Sequence, residues 1–310
     1  MNRTAPVTAT AAAALALTLA ACTTSGAADD DGDQRPLVLT TFTVLADMAQ
    51  NVAGDRLEVT SLTRPGAEIH GYEPTPDDLV RGSEADLILE NGLGLEAWFD
   101  QFTDQIDAPT RTLTEGIDTI PVTSGEYEGE PNPHAWMSPD NGQIYVDNIR
   151  DALTELDPDG AQTYTDNAQD YKDDLDQVAT DLDQALEAVP ERSRALVTCE
   201  GAFSYLARDA DLAEAYLWPV NAENEGTPQQ IADVVDFVQD NDVPTVFCES
   251  TVNDSSQQAV ARESGAELGP TLYVDSLSQA DGPVPTYLDL LRHDAEAIAQ
   301  GLTPQGEGQQ

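Results

Sequence analysis

Residues 159–189, DGAQTYTDNAQDYKDDLDQVATDLDQALEAV, determine the architecture predicted for this 310-residue chain. Apolar residues recur there at every third or fourth position, and the stripe consists of Tyr164, Ala168, Tyr171, Leu175, Val178, Leu182 and Leu186. Neither glycine nor proline interrupts the stretch from 161 to 189, so it predicts one amphipathic helix of about thirty residues, roughly 45 Å long. We expect this helix to lie across two lobes. The alternative is a coiled-coil arm that joins two copies of the chain.

Short strands and helices alternate on both sides of this stretch. Before it, strands are predicted at 37–41, 57–62, 86–90 and 117–122, and helices at 45–52, 76–82, 94–102 and 140–156. After it, strands are predicted at 195–199, 213–219, 245–248 and 267–274, and helices at 202–208, 227–241, 255–264 and 285–302. The alternation predicts an α/β fold of two similar lobes, each a parallel sheet flanked by helices, joined by one long backbone helix. The predicted segments are an N-terminal lobe at 36–157, a linker helix at 158–189, a C-terminal lobe at 190–302 and a polar tail at 303–310.

The N-terminal segment is typical of an exported lipoprotein. Arg3 precedes an apolar, alanine-rich run that ends in LAAC at Cys22, which predicts a signal peptide over 1–21 and lipid attachment at Cys22. The alternative, a transmembrane anchor, would need a longer apolar run of about 20 residues. Residues 22–35 contain the run DDDGD and are expected to form an acidic flexible tether. We therefore expect an extracytoplasmic protein, held by lipid on the outer face of the cell membrane.

The composition is strongly acidic. The chain carries 58 acidic and 13 basic side chains, and its formal net charge is −45. Such a surface repels nucleic acid, whose binding requires basic patches. Because the acids are spread along the whole chain, they favour a solvated surface suited to high salt over an acidic substrate site. A halophilic or salt-tolerant source is the resulting hypothesis.

Cys199 and Cys248 each close a short apolar run that predicts a buried strand. If these strands are neighbours in one parallel sheet, the two sulfur atoms lie within bonding distance. An exported protein occupies an oxidising compartment, so a disulfide bond is predicted. The alternative is a pair of buried thiols that act as small hydrophobic side chains.

Two of the three histidines lie on proline-rich loops just before predicted helices. His70 lies in GAEIHGYEPTPDD at 66–78, and His134 lies in EPNPHAWMSP at 130–139. Proline fixes its own φ and restricts the residue before it, so both imidazoles are expected on stiff loops. His293 differs, because it falls off the apolar stripe of the last predicted helix and is expected at the surface.

Two carboxylates follow predicted strands of the C-terminal lobe. Glu200 comes after the strand at 195–199, and Asp275 after the strand at 267–274. In open α/β sheets, ligands bind at the carboxyl ends of the strands. Two lobes that face each other would bring two histidines from one lobe to two carboxylates from the other.

Five motifs in order resemble those of a known family, the metal-binding lipoproteins of manganese, zinc and iron ABC importers. They are HGYEPTPDD at 70–78, NPHAWMSP at 132–139, EGAFSYLA at 200–207, VFCESTVND at 246–254 and DSLS at 275–278. The resemblance covers residues 36–302. It implies a two-lobed fold with a rigid backbone helix, and metal ligands at His70, His134, Glu200 and Asp275. It also implies a monomeric, non-catalytic protein that captures a divalent metal and delivers it to an ABC permease.

Glu200, the third implied ligand, indicates which metal the site would bind. Zinc members of the family usually carry histidine where this chain has Glu200, and often a histidine-rich loop where residues 124–133 contain none. Two neutral imidazoles and two carboxylates balance a divalent charge, and carboxylates suit harder ions, which favours Mn²⁺ and then Fe²⁺. A zinc importer lipoprotein is the alternative, because zinc generally binds such ligands more tightly than manganese.

Two functions of other classes compete with metal transport. Two histidines and a carboxylate form the triad of non-haem iron enzymes, but a fourth protein ligand works against open coordination positions. A surface adhesin with a structural metal is the second. No nucleophile–base pair, phosphate loop or dinucleotide fingerprint occurs in the sequence, so we expect no enzyme. Glu249 is predicted either to orient a metal-binding imidazole or to make a structural hydrogen bond.

Overall fold

Four parallel strands form the sheet of the N-terminal half. The computed structural model describes residues 35–99, 106–125, 127–220 and 226–303. Its first strands are β1 (Leu37–Thr40), β2 (Glu58–Ser61), β3 (Leu87–Glu90) and β4 (Thr110–Thr112), in the order β2-β1-β3-β4. Among the described residues, the helices of this half are α1 (Thr43–Ala53), α2 (Pro76–Glu84) and α3 (Pro139–Leu156). β1 and β3 are central and mostly buried, which agrees with their continuous apolar sequences.

The C-terminal half contains two pairs of parallel strands. Its strands are β5 (Ala195–Glu200), β6 (Ala213–Trp218), β7 (Thr245–Val246) and β8 (Glu267–Leu268), paired as β5-β6 and β7-β8. The amide of Phe247 donates a hydrogen bond to Val197 O at 2.8 Å and connects the two pairs. The helices of this half are α5 (Ser204–Asp209), α6 (Pro228–Asp240), α7 (Ser255–Ser264) and α8 (Tyr287–Leu302). Parallel sheets flanked by helices in both halves confirm the predicted two-lobed α/β fold.

The long helix α4 (Ala161–Leu186) connects the two halves. It has 26 residues, about 39 Å at 1.5 Å per residue, and follows a 3₁₀ turn at Pro158–Gly160. All seven residues of the predicted stripe are buried, against α1 and α3 of the first half and α8 of the second. The alternative of a coiled-coil arm is therefore wrong, because helices of the same chain already cover the apolar face. From Arg35 the chain forms one compact unit, so the exact lobe boundaries stay predictions.

Three predicted elements need correction. The strand expected at 117–122 is absent: the edge strand is β4, and Pro121 makes only an isolated antiparallel bridge with Pro131. Proline lacks the N–H that a paired strand needs. The strand expected at 267–274 ends at Leu268, because Gly269 and Pro270 interrupt it. The helix expected at 94–102 is not formed in its described part, where 94–99 make consecutive turns.

Cys199 and Cys248 are joined by the predicted disulfide bond, with their Cα atoms 4.9 Å apart. Cys199 lies in β5, and Cys248 lies two residues after β7. The bond therefore ties neighbouring strands of the C-terminal half at their carboxyl ends, and both cysteines are buried.

The predicted signal peptide, Cys22 and most of the tether lie outside the described residues, as do 304–310. None of the helices within the described part of the chain is long and apolar enough to cross a membrane.

Candidate metal centre

The loop that carries His70 is fixed by its own neighbours. The Glu68 carboxylate accepts hydrogen bonds from the amide of His70 at 2.5 Å and from that of Gly71 at 2.8 Å. The indole Nε1 of Trp98 donates to Ile69 O at 2.9 Å. These contacts hold the backbone on both sides of the imidazole, in addition to the restriction by proline.

The start of α2 anchors the far end of the same loop. Thr75 is its N-cap, and Pro76, where the sequence predicts that the helix begins, occupies the first turn. Asp78 completes a capping box by accepting from the Thr75 amide at 2.8 Å, and it also accepts from the hydroxyl of Tyr72 at 2.9 Å.

His134 is fully buried at the start of a 3₁₀ turn, Ala135–Met137. Its ring Nδ1 lies 2.9 Å from Asn132 Oδ1, which directs Nε2 toward the opposite lobe. Trp136 packs beside the imidazole, with ring centroids 5.2 Å apart, and its Nε1 donates to Val274 O at 3.1 Å. The His134 turn is therefore attached directly to the segment that carries Asp275.

Both carboxylates lie at the carboxyl edge of the second lobe. Glu200 is the last residue of β5, and Asp275 directly follows the segment that pairs at Leu272 with Glu249. The hydroxyl of Thr251 donates to Asp275 Oδ2 at 3.2 Å. The other oxygen, Asp275 Oδ1, is buried and accepts no hydrogen bond within the described part of the chain.

The four predicted residues converge at one place. The Nε2 atoms of His70 and His134 are 3.0 Å apart. Glu200 Oε1 lies 3.5 Å from the first and 3.9 Å from the second, and Asp275 Oδ1 lies 3.9 Å from His134 Nε2. Ligand atoms of His70, His134 and Glu200 all lie within 4.8 Å of one another, as do those of Glu68, His70 and Asp275. Such spans suit one ion with bonds of about 2.0 to 2.6 Å.

Burial determines the charge state of the cluster. It lowers the pKa of His70 to about 4. The pKa of His134 falls well below its ordinary value through burial and the nearby His70. Both imidazoles are therefore neutral at pH 7, which leaves each with a lone pair for a metal. Burial and the negative charge of Glu68 raise the pKa of Asp275 to about 7.

The donor set fits a divalent cation. Asp275 Oδ1 is a buried carboxylate oxygen that accepts no hydrogen bond from the described residues, and such a group is costly unless another ligand satisfies it. The only ion-pair partner of Asp275 among the described side chains is His134, which is neutral at pH 7. A divalent ion beside these four side chains would supply the missing positive charge.

Two further sequence predictions have structural outcomes. Glu249 is buried behind Glu200, and its carboxylate oxygens each lie 3.4 Å from the Glu200 amide nitrogen. Among the described contacts of Glu249 there is none with an imidazole, so the geometry favours the predicted structural hydrogen bond. Burial raises its pKa to about 8. His293 is half-buried rather than fully exposed, because its Nε2 donates to Thr271 O at 2.9 Å and its ring contacts Tyr273.

Sequence reasoning missed three residues around the cluster: Glu68, Asn132 and Thr251. Each contacts a predicted ligand or its backbone. The spacing of Asn132, two residues before His134, was an available signal, since Asn and Asp side chains often bond the backbone two residues on. Glu68 makes the same kind of contact with the His70 amide, although glutamate is not a residue type for which this bond is expected. Thr251 had no such signal, because its contact with Asp275 spans 24 positions.

This chain is similar in sequence to known metal-binding proteins. The family model described as "ZnuA: Zinc-uptake complex component A periplasmic" matches residues 38–301. The iron-binding protein YfeA of Yersinia pestis is 49% identical over 266 residues, which cover 86% of each chain. The manganese-binding lipoprotein MntA of Halalkalibacterium halodurans is 34% identical over 290 residues, which cover 93% of this chain and 96% of that protein.

Solved structures show the same fold. A Mn-bound periplasmic metal-binding protein from Candidatus Liberibacter asiaticus superposes with a TM-score of 0.81 at 40% identity, over 86% of this chain and 99% of that one. The periplasmic zinc-binding protein TroA from Treponema pallidum gives a TM-score of 0.79 at 26% identity, over 87% and 100%. Because the family match covers most of its length, this chain belongs to the ZnuA family, the periplasmic metal-binding components of ABC transporters.

Proposed function

We propose that this protein captures Mn²⁺ outside the cytoplasm through His70, His134, Glu200 and Asp275 and delivers it to an ABC permease. The observation that carries the proposal is the convergence of two imidazole nitrogens with two carboxylates, one of which has a buried oxygen without a hydrogen bond. Membership of the family supports delivery to a transporter rather than catalysis.

The choice of Mn²⁺ depends on the two carboxylates. Each binds through one or both oxygens, which permits the higher coordination numbers that hard ions adopt. A site of four nitrogen and sulfur ligands would instead favour zinc. Fe²⁺ is the second cargo that this donor set serves, and the 49% identical relative is an iron-binding protein.

Lipid attachment completes the proposal. The LAAC sequence that ends at Cys22 supports acylation of that cysteine, and several relatives are named lipoproteins. The anchored protein then works as a monomer beside its permease. A surface adhesin with a structural metal predicts unchanged metal uptake when the protein is deleted, whereas a transport component predicts its loss.

Separate metal titrations test the proposed cargo. The mature chain is refolded without metal and titrated with Mn²⁺, Fe²⁺ or Zn²⁺ under anaerobic conditions. Because zinc generally binds such ligands more tightly than manganese, the decisive quantity is the affinity for Mn²⁺ alone. We expect binding of one Mn²⁺ ion per chain, seen as loss of the free-ion electron paramagnetic resonance signal. Stoichiometric binding of zinc without detectable binding of Mn²⁺ would instead identify a zinc carrier.

Manganese affinity should rise with pH through the titration of Asp275. The pKa of this carboxyl is raised to about 7, so below pH 7 it is mostly protonated and the metal must displace that proton. Displacement of one proton gives about a tenfold gain in affinity per pH unit below 7, levelling above pH 8. Both imidazoles are neutral throughout this range.

Calorimetry in buffers of different ionisation enthalpy measures the released proton directly. The matched variant is Asp275→Asn, which binds more weakly but should lose the dependence between pH 6 and pH 8. Equal affinity of the parent protein at pH 6 and pH 8 would refute the assigned proton.

A further inference from the structure

Asn132 connects the two lobes beside the candidate metal centre. Its side-chain Nδ2 donates to Gly201 O at 2.6 Å and lies 3.3 Å from Ser204 Oγ. Its Oδ1 accepts from the backbone amide of His134 at 3.0 Å and lies 2.9 Å from the ring Nδ1 of the same residue. Its backbone carbonyl accepts from the hydroxyl of Tyr205 at 2.7 Å. These contacts involve both polar atoms of the side chain, Oδ1 and Nδ2, and the residue is buried.

The partners leave only one orientation for the side-chain amide. A carbonyl oxygen accepts only, so the atom that faces Gly201 O must be the NH₂ group. A backbone amide donates only, so the atom that faces His134 N must be the amide oxygen. One orientation of the Asn132 amide meets both requirements, so the hydrogen-bond network assigns which of its atoms is oxygen and which is nitrogen.

The orientation of Asn132 determines the tautomer of His134. Because Oδ1 accepts only, ring Nδ1 at 2.9 Å must carry the proton and donate it. With Nδ1 protonated, Nε2 is the nitrogen that can offer a lone pair to a metal, and this atom points toward His70, Glu200 and Asp275. A partner on the second ring nitrogen is what fixes the orientation of a metal-binding histidine.

The other end of the amide contacts the turn that follows Glu200. Gly201 directly follows Glu200 in the chain and packs against the residues at the end of β6. A Cβ atom added to Gly201 would lie 2.7 Å from Pro219 O, so the backbone is closely packed there. One amide therefore holds the imidazole of the first lobe and the turn of the second in a fixed relation.

We infer that Asn132 is a positioning residue for metal capture: it fixes His134 with Nε2 as ligand and aligns it with Glu200. The inference rests on the proposed metal site, although the tautomer of His134 can be measured in the metal-free protein. Asparagine suits the task because the same side chain must accept from His134 and donate to Gly201 O. An aspartate keeps the first contact and loses the second.

Nitrogen-15 NMR of the imidazoles tests the inference. The sequence has only three histidines, so long-range ¹H–¹⁵N spectra of the metal-free protein resolve each ring, and His134→Gln identifies the His134 signals. We expect the Nδ1–H tautomer at His134 in the parent protein and in Asn132→Asp. In Asn132→Ala we expect a mixture of tautomers, together with about 10- to 100-fold weaker Mn²⁺ binding.

Asn148→Ala is the matched control, because Asn148 also donates to two backbone carbonyls, those of Leu113 and Glu115. It should change neither tautomer nor affinity. An Nε2–H tautomer in the parent overturns the inference without any variant. A change in only one of the two readouts in Asn132→Ala also overturns it. Failure of the parent to bind Mn²⁺ refutes the proposed function, while the tautomer still decides the orientation of His134.

Discussion

Replacement of His134 or Asp275 by alanine is expected to lower the affinity for Mn²⁺ by about 100-fold or more. Loss of a residue that only orients a ligand typically weakens metal binding 10- to 100-fold, so loss of a ligand should cost at least as much. His134 is fully buried and Asp275 is 2% exposed, so bulk water does not easily replace either donor. Isothermal titration calorimetry at pH 7.5 measures the effect, and alanine at His70 or Glu200 should act in the same direction.

The variants need a control that separates binding from folding. His293→Ala removes the remaining histidine, which contacts Thr271 and Tyr273 rather than the cluster, and should leave the affinity unchanged.

Asp275→Asn offers a second test, because the raised pKa of Asp275 means that its ionised form destabilises the metal-free protein above pH 7. We expect this variant to bind Mn²⁺ weakly yet melt no lower than the parent at pH 8 without metal. Parent-like binding by all four alanine variants would refute the site.

Loss of the Cys199–Cys248 disulfide bond is expected to lower the free energy of unfolding by about 4 kcal/mol. The bond closes a loop with a sequence separation of 49, and the chain-entropy relation gives this value for such a loop. The effect is a large fraction of the stability of an ordinary domain. Urea unfolding of Cys199→Ser/Cys248→Ser, beside the oxidised parent, measures it.

The same variant should also bind Mn²⁺ more weakly, because Glu200 follows Cys199 directly and its amide contacts the carboxylate of Glu249, which follows Cys248. The control is a reducing agent, which should destabilise the parent and leave the double variant unchanged. A stability difference below about 1 kcal/mol would show that the bond adds little to the packing of β5 against β7.

The sequence predicts those elements best whose signals are local. The seven-residue stripe of α4 is buried as its spacing indicates, and α7 has the predicted bounds, Ser255–Ser264. Threonine–proline pairs mark the starts of α2 and α6, where Thr75 and Thr227 both form capping boxes. In each case the side chain that gives the signal also makes the stabilising contact, so no information from distant parts of the chain is needed.

Elements that depend on distant partners were predicted poorly. The edge strand β4 has the sequence TRT, which shows no apolar alternation, and only its pairing with β3 makes it a strand. The segment after β8 is apolar enough for a strand, but the strand ends before Gly269, where an added Cβ would lie 2.5 Å from the Phe247 ring. Neither the neighbouring strand nor the aromatic ring is visible from local sequence.

The candidate site also combines features with a local sequence signal and features that depend on distant residues. His70, His134, Glu200 and Asp275 were selected by their motifs and by their places after strands, and the structure adds their convergence within a few ångströms. The spacing of Asn132 signals its contact with His134, but its contact with Gly201 O, 69 positions away, has no local signal. The unsatisfied oxygen of Asp275 is likewise a property of the folded chain alone.

Anomalous diffraction from crystals of the mature chain grown with Mn²⁺ tests the central claim most directly. We expect one strong manganese peak within about 2.0 to 2.5 Å of Nε2 of His70 and His134 and of carboxylate oxygens of Glu200 and Asp275. A peak at surface acids, or the absence of a peak between these four side chains at saturating Mn²⁺, would contradict the account.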